Sequence, residues 1–438
     1  MTQFSAEIDQ NEYLPNGGTE VNAVLTVTAV DNETPTPTSA AEAVEIVIID
    51  VSGSMGSPKA KLRSAKEATK AAIDCIRVGV QFAVIAGDDK ARSVYPSSGT
   101  ALANFATRGS AKEAVDRLRD RGGTEIGRWL ALADELFGSA PGAIRHAILL
   151  TDGQNNERDG VLEGVLSRCE GRFQCDCRGV GTDWEVDELR KIASALLGTV
   201  DIVPQPEGLE NEFRSLMEAA MGKATADVSL RLWTPQGSRV AFVKQVAPTV
   251  EDLTDRATQA HKPEGDPDPL SVDFPTGAWG DESREYHVCI NVPARDVGDE
   301  ALAGRVKLMV DGQSVSEAKI LAIWTDDEVL STRMNLAVAH YSGQAELAEA
   351  IQDGLQARRD GDEHEAEMKL GRAVQLAAES GNEGTMKLLS RVVEIEDREK
   401  GTVRLKRSVA AVDEMSLDTR STKTVRVQKS APPPGATP

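Results

Sequence analysis

The sequence predicts an α/β protein whose mainly parallel, doubly wound sheet is inserted in or flanked by an antiparallel β-sandwich and followed by a C-terminal helical bundle. Three observations carry this reading. Ile46 to Ile49 and Ala147 to Leu150 are continuous apolar runs of strand length, as in strands covered on both faces. From Ala41 to Gly222 such strands alternate with helix-length segments, which implies parallel pairing with helices on both faces. From Ala224 to about Thr325 the pattern changes to short alternating strands between Pro/Gly turns: DVSLRLWTP, SRVAFVKQV, LSVDFPTGAW, REYHVCINV, GRVKLMVDG and AKILAIWTD.

The elements follow in order. Residues 1–38 hold FSAEI and EVNAVLTVTAV, joined by the turn PNGG, then a Pro/Thr-rich linker, NETPTPTSAAE. A lone hairpin does not stand by itself. It is expected to complete the later sandwich, which makes 41–222 an insertion. That region reads as a strand to Asp50, a helix over 58–76, the antiparallel edge pair VQFAVIAGD and ARSVYPS, and helices over 110–119 and 125–137. The strand RHAILLTDG, a helix over 158–169, FQCDCRGVG, a helix over 186–197, TVDIVPQ and a helix over 209–221 complete it. In the sandwich, 224–326, HKPEGDPDP reads as an exposed acidic loop. Residues 328–400 read as three helical segments punctuated at Gly361 and near Gly381. AEMKLGRAVQLAAESGN resembles one tetratricopeptide-type hairpin, too few for a solenoid, so a bundle docked on the sandwich is expected. Residues 406–438 are poor in apolar residues and end in APPPGATP. Seven Lys/Arg stand against three Asp/Glu from 401 onward, so a disordered basic tail is expected.

The 438 residues exceed one ordinary domain. The net charge of -21 argues against nucleic acid and anionic lipid as general partners. No apolar run is long enough for a bilayer, and the N-terminus lacks a basic segment followed by an apolar one. Five cysteines, an odd count, fit a reducing compartment. A cytoplasmic protein is expected. Cys175 and Cys177 point to one side of a strand without the Cys-x-x-Cys spacing of zinc sites, so Cys169, Cys175 and Cys177 read as buried thiols. His146 reads as a core or edge residue, and Trp184 as packing on the sheet beside a helix start near Asp183.

The chemistry gathers at VEIVIIDVSGSM. Asp50, Ser52 and Ser54 cluster where a strand gives way to a loop, the end at which open α/β sheets bind ligands. Carboxylate and hydroxyl oxygens are hard donors suited to a hard cation such as Mg²⁺. Singly, these residues also suit ordinary turns and helix caps. DVSGS, however, resembles the D-x-S-x-S signature of von Willebrand factor A (VWA) domains. Thr124 in RGGTEIG and Asp152 in HAILLTDGQ stand where that family completes its metal-ion-dependent adhesion site. The resemblance covers about 41–222, and the flanking strands and C-terminal helices are similar to bacterial intracellular multidomain VWA proteins. It implies that Asp50, Ser52, Ser54, Thr124 and Asp152 hold one Mg²⁺, or Mn²⁺ or Ca²⁺. A partner's Asp or Glu carboxylate would fill an exchangeable position.

A binding module rather than an enzyme is therefore expected. Aspartate-nucleophile phosphatases place a second acid two residues after the first, and here that position is Ser52, which cannot serve as a general acid. No G-x-x-x-x-G-K-[ST] loop is present, so any ATPase would be a separate protein. Two readings of other classes remain. In one, a Ser/Thr kinase marks Thr422 or Thr424 in SLDTRSTKTVRV, beside Thr419, and a forkhead-associated domain reads the phosphothreonine with Val427 three positions on. In the other, the chain is a docking subunit of an ATP-driven chelatase or chaperone-like complex.

Overall fold

The computed structural model describes residues 2–31, 42–138, 143–262 and 265–427. Its central sheet has seven strands. Val200–Val203, Gln174–Val180, Ile144–Thr151, Ala43–Asp50 and Gln81–Gly87 lie side by side in that order and run parallel. Ala91–Tyr95 and the short Ala101–Leu102 add antiparallel to the last of them. Ala43–Asp50 sits in the middle because Val44 and Ile46 to Ile49 have no exposed surface on either face.

Helices Ile126–Phe137, Val161–Cys169 and Val186–Ala195 cover one face, and Ala60–Cys75, Phe105–Asp116 and Leu209–Met221 the other. Two glycines let indoles lie flat on the strands. A Cβ on Gly87 would meet the Trp129 ring at 2.3 Å, and one on Gly179 the Trp184 ring at 1.9 Å. Helix Phe105–Asp116 begins five residues before the position its apolar pattern suggests. Asn104 and Thr107 form a reciprocal capping box that fixes the earlier start.

The sandwich joins a five-stranded and a six-stranded sheet. Thr2–Gln10, Glu20–Asp31, Glu282–Asn291, Arg239–Ala247 and Glu251–Asp252 form the first. Thr258–His261, Pro267–Gly280, Lys223–Trp233, Glu300–Val310, Gln313–Thr325 and Tyr13–Pro15 form the second. The N-terminal segment therefore supplies strands to both sheets, and the α/β unit leaves and rejoins the sandwich between Asp31 and Lys223. Trp279, Trp324, Tyr286 and Phe274 fill the space between the sheets. The expected 261–269 loop is exposed at its described residues apart from the half-buried Asp268, and strand pairing of His261 with Pro267 runs into it; residues 263–264 lie outside the described residues.

Helices Leu336–Arg359, Glu363–Glu379 and Glu383–Val392 follow, each opened by an Asn or Asp side chain accepting backbone N–H groups. Gly361 and Gly381 adopt left-handed φ values of 82° and 67° at the two turns. The helical run ends at Val392, short of residue 400. Val393–Asp397 and Thr402–Leu405 form a hairpin instead.

The disordered tail expected from 406 is not what the structure shows. Helix Ala411–Arg420 forms, and the chain continues in contact with the body to Val427. Ion pairs hold it together with apolar contacts from Val412, Met415 and Val427. Asp418, 2% exposed, lies 2.5 Å from Arg190 and 3.1 Å from Arg359. Arg420 and Lys423 close on the two oxygens of Asp201 at 2.9 and 2.6 Å. Leu417 adds one fully buried apolar anchor. Low hydrophobicity hid a segment whose ties are partly ionic. The final APPPGATP and the linker after Asp31 lie outside the described residues. No described helix is long and apolar enough to cross a membrane.

Candidate metal centre

Three loops meet at the carboxyl end of the parallel strands. The first follows Ala43–Asp50. Asp50 is fully buried and its Oδ1 accepts the Ser52 N–H at 2.7 Å, which bends the chain so that Ser52 and Ser54 face the same way. Their hydroxyl oxygens are 2.9 Å apart. The second loop follows Ile144–Thr151. Asp152, also fully buried, accepts the Ser54 hydroxyl through Oδ1 at 2.6 Å. The third loop brings Thr124. A Cβ placed on Gly153 would lie 3.1 Å from Thr124 Oγ1 and 3.3 Å from Ser54 Oγ. Glycine there leaves open the cradle that those two hydroxyls line.

All five sequence-selected residues thus stand at one end of the sheet, tied by contacts through Ser54 and Gly153. Among the described residues no group of three or more His, Cys, Asp or Glu side chains is placed to hold a metal ion by itself. An ion at this site would rest on two carboxylates and three hydroxyls. That set of hard oxygens fits Mg²⁺ and gives it only modest negative charge. Burial pushes the Asp50 carboxyl up to about 6, against hydrogen bonds from Ser52 and Thr151 that pull it down.

Several supporting residues escaped the sequence reading. Thr151 donates to Asp50 Oδ2 at 2.6 Å; its signal was a polar residue at the end of a fully buried strand. The QNNE run after Gly153 caps the threonine loop. Asn156 Oδ1 accepts Thr124 N–H at 3.1 Å, Asn155 Oδ1 accepts Ile126 N–H at 3.1 Å, and Glu157 Oε2 accepts Gly127 N–H at 2.8 Å. One loop therefore caps the N-terminus of the helix that another loop leads into, and the Thr124 and Asp152 loops become one unit. Asp88 holds the rim, accepting Lys90 N–H, Arg92 and Arg121 at 2.8, 2.6 and 3.0 Å. Burial acts to raise Asp88, but these partners hold it below the ordinary carboxylate range.

Lys61 was also missed. Its Nζ lies 2.8 Å from Asp152 Oδ2 and 3.0 Å from Asp183 Oδ2. Burial would lower its pKa, yet hydrogen bonds and Coulomb attraction from both aspartates raise it. The signal was a lysine on the stripe that continues through the buried Ala65, Ala68 and Ala72. Asp183, expected near a helix N-cap, serves this ion pair, and the helix begins after Glu185.

The other sequence-selected residues lie away from this centre. Cys169, Cys175 and Cys177 are buried free thiols, and burial pushes Cys169 up to about 11. His146 sits at the opposite end of the sheet, 2.6 Å from Glu45 and 2.9 Å from Asp176. Burial opposes its charge, but the two carboxylates raise it to about 10.

Comparison with known proteins agrees with this architecture. A family profile described as von Willebrand factor type A domain matches residues 44–202, and one described as von Willebrand factor type A C-terminal domain matches 375–421. The second spans the helix expected to be disordered. A solved structure, von Willebrand factor type A from Catenulispora acidiphila, is 49% identical over 97% of each chain, with a TM-score of 0.91. The chain belongs to the von Willebrand factor type A family. The ArnB paralog VWA2 from Sulfolobus acidocaldarius is similar over 96% of this chain and 98% of its own, at 13% identity and a TM-score of 0.57. The human COPII-coat protein Sec24c is similar over 92% of this chain and 60% of its own, at 10% identity and a TM-score of 0.52. These two likenesses concern the fold alone. No curated protein matches the chain.

Proposed function

We propose that this protein is a metal-dependent protein-binding scaffold, not an enzyme, that grips an Asp or Glu side chain of a partner through a Mg²⁺ ion. VWA domains are generally metal-dependent interaction modules. The observation that carries the reading here is the pairing of Ser54 and Thr124 on the open side of Gly153, with Ser52 and Asp152 hydrogen-bonded to Ser54 and a fully buried Asp50 beside them. In this reading Ser52, Ser54 and Thr124 hold the ion with neutral oxygens, and Asp50 and Asp152 balance its charge directly or through water. The bound ion supplies Lewis acidity toward a carboxylate. The chain's own part is to preorganise the oxygens: Thr151 fixes Asp50, and Asn155, Asn156 and Glu157 fix the Thr124 loop. Mn²⁺ and Ca²⁺ share the hard-donor preference and are expected to compete.

No observation favours the tail-signalling reading. Thr419 is buried and donates to the Met415 carbonyl, Thr424 donates to the Pro248 carbonyl at 3.1 Å, and Thr422 is half-buried. No observation favours the chelatase-type docking subunit. The deciding experiment is calorimetric titration of Mg²⁺ into the wild type and Asp50→Ala, followed by co-purification of partners with and without a chelator. Equal Mg²⁺ binding by both proteins would end the assignment.

A further inference from the structure

We infer that Lys61 is a positioning residue of this centre, whose ammonium cancels the charge of Asp152 so that the free site holds a divalent cation weakly and stays electropositive toward a partner's carboxylate. The inference rests on the metal-binding reading above.

Lys61 is an odd residue to find there. It is 7% exposed and lies in the first turn of helix Ala60–Cys75, where the helix dipole disfavours a cation. Two carboxylates offset that cost. Asp183 is on the surface, with 67% of its side chain exposed, so water screens its share. Asp152 has no exposed surface, and its pairing with Lys61 acts in a medium that screens poorly. The other Asp152 oxygen already accepts Ser54. Both oxygens are therefore committed, one to a fixed positive charge.

The charge balance follows. A divalent cation against Asp50 and Asp152 alone would make a neutral centre, since the three hydroxyls add no charge. With Lys61 the loaded centre keeps one positive charge, and one incoming carboxylate neutralises it. Lysine at this position trades affinity for the free ion against affinity for the ternary arrangement. If Lys61 merely tied two loops together, its loss could only weaken the site.

The test uses the full-length protein and Mn²⁺ alone, with free Mn²⁺ read by electron paramagnetic resonance. Lys61→Gln keeps a hydrogen-bond donor toward Asp152 and is expected to bind Mn²⁺ about tenfold more tightly than wild type, from removal of one nearby like charge. Unchanged or weaker binding overturns the inference. A double-mutant cycle covers the case in which Lys61→Gln fails to fold. Asp152→Asn alone leaves Lys61 with only the exposed Asp183 as a partner and should bind Mn²⁺ weakly. Adding Lys61→Gln to it removes the stray charge without stranding a carboxylate and should recover about tenfold in affinity. A double variant no tighter than Asp152→Asn alone also overturns the inference. Asp50→Ala is the control for the underlying reading: wild-type Mn²⁺ binding by that variant sinks the metal centre itself, whatever Lys61 does.

Discussion

The two ends of the parallel sheet hold nearly the same charges and put them to opposite use. At the carboxyl end, Asp50 and Asp152 share the space with Lys61 and three hydroxyls. At the amino end, Glu45 and Asp176 hold His146 between them, and Asp176 also accepts the Thr199 N–H and hydroxyl at 2.7 and 2.6 Å. Each end sets one cationic side chain among carboxylates, with the exposed Asp183 as a further partner of Lys61 at the carboxyl end. The amino end is roofed by the sandwich, where Gln174 accepts the Ala278 N–H at 2.9 Å, and its polar groups satisfy one another. The carboxyl end has no roof, and its hydroxyls keep lone pairs for a visitor. What separates structural charge from receptive charge is the presence of neutral hydroxyls with lone pairs to spare beyond their mutual hydrogen bonds, more than the charges themselves.

That contrast can be broken experimentally, beginning with the largest effect. His146→Ala would leave the buried Glu45 facing Asp176 with no cation between them. It should cost roughly 3–5 kcal/mol of stability, the usual result of removing one partner from a buried pair. Denaturant melts would show this, and calorimetry should find Mg²⁺ affinity unchanged. A weakened metal site in that variant would mean the two ends are coupled. The reverse experiment is Asp50→Ala, which should lose at least about a hundredfold in Mg²⁺ affinity, more than typical losses for supporting residues. Its metal-free melting point should hold or rise, because a buried carboxylate is gone.

A pH series sharpens the comparison further. His146 is raised to about 10 in the fold, above its ordinary value, so the native state keeps a proton that the unfolded chain gives up. Its contribution is complete below about pH 6.5 and is lost as the pH climbs toward 10. Metal-free melts at pH 7, 8 and 9 should show falling stability. Part of that slope should be missing in His146→Gln; an identical slope in both would show the histidine to be neutral in the fold. The smallest effect is expected at the edge of the amino end. Asp201→Ala removes the anchor of Arg420 and Lys423, whose side chains are 35% and 53% exposed, so only about 1 kcal/mol should be lost. Limited proteolysis should then cut nearer residue 420, and an unchanged digestion pattern would mean the remaining contacts hold the segment.

Much of this molecule was legible in its sequence, for a physical reason. Fully buried parallel strands write themselves as apolar runs, so Ile46 to Ile49 and Ala147 to Leu150 located both metal-site loops. Paired glycines before Thr124 marked the third. The supporting residues were less visible because their partners are distant in the chain. Nothing near Asn155 says that it will cap a helix that starts 29 residues earlier, and Lys61 is informative only once Asp152 stands beside it. The C-terminal segment was misread for the same reason. Composition counts apolar residues, while Asp418, Arg420 and Lys423 are held by Arg190, Arg359 and Asp201 from three different places.

The strand Glu20–Asp31 has a consequence for how the protein is made. It pairs with Glu282–Asn291, and Thr28 reaches Ser283 across 255 positions. A ribosome working at about 5–20 residues per second needs roughly 13–50 seconds to cover that interval. Throughout it, the first hairpin has emerged without the strand it needs, while the α/β unit between them can already fold. Newborn chains therefore carry an unfilled sheet edge, a state open to wrong pairing and to chaperones. Slow codons or stalling between Gly222 and Glu282 should depress soluble yield more than the same delay placed after Asn291.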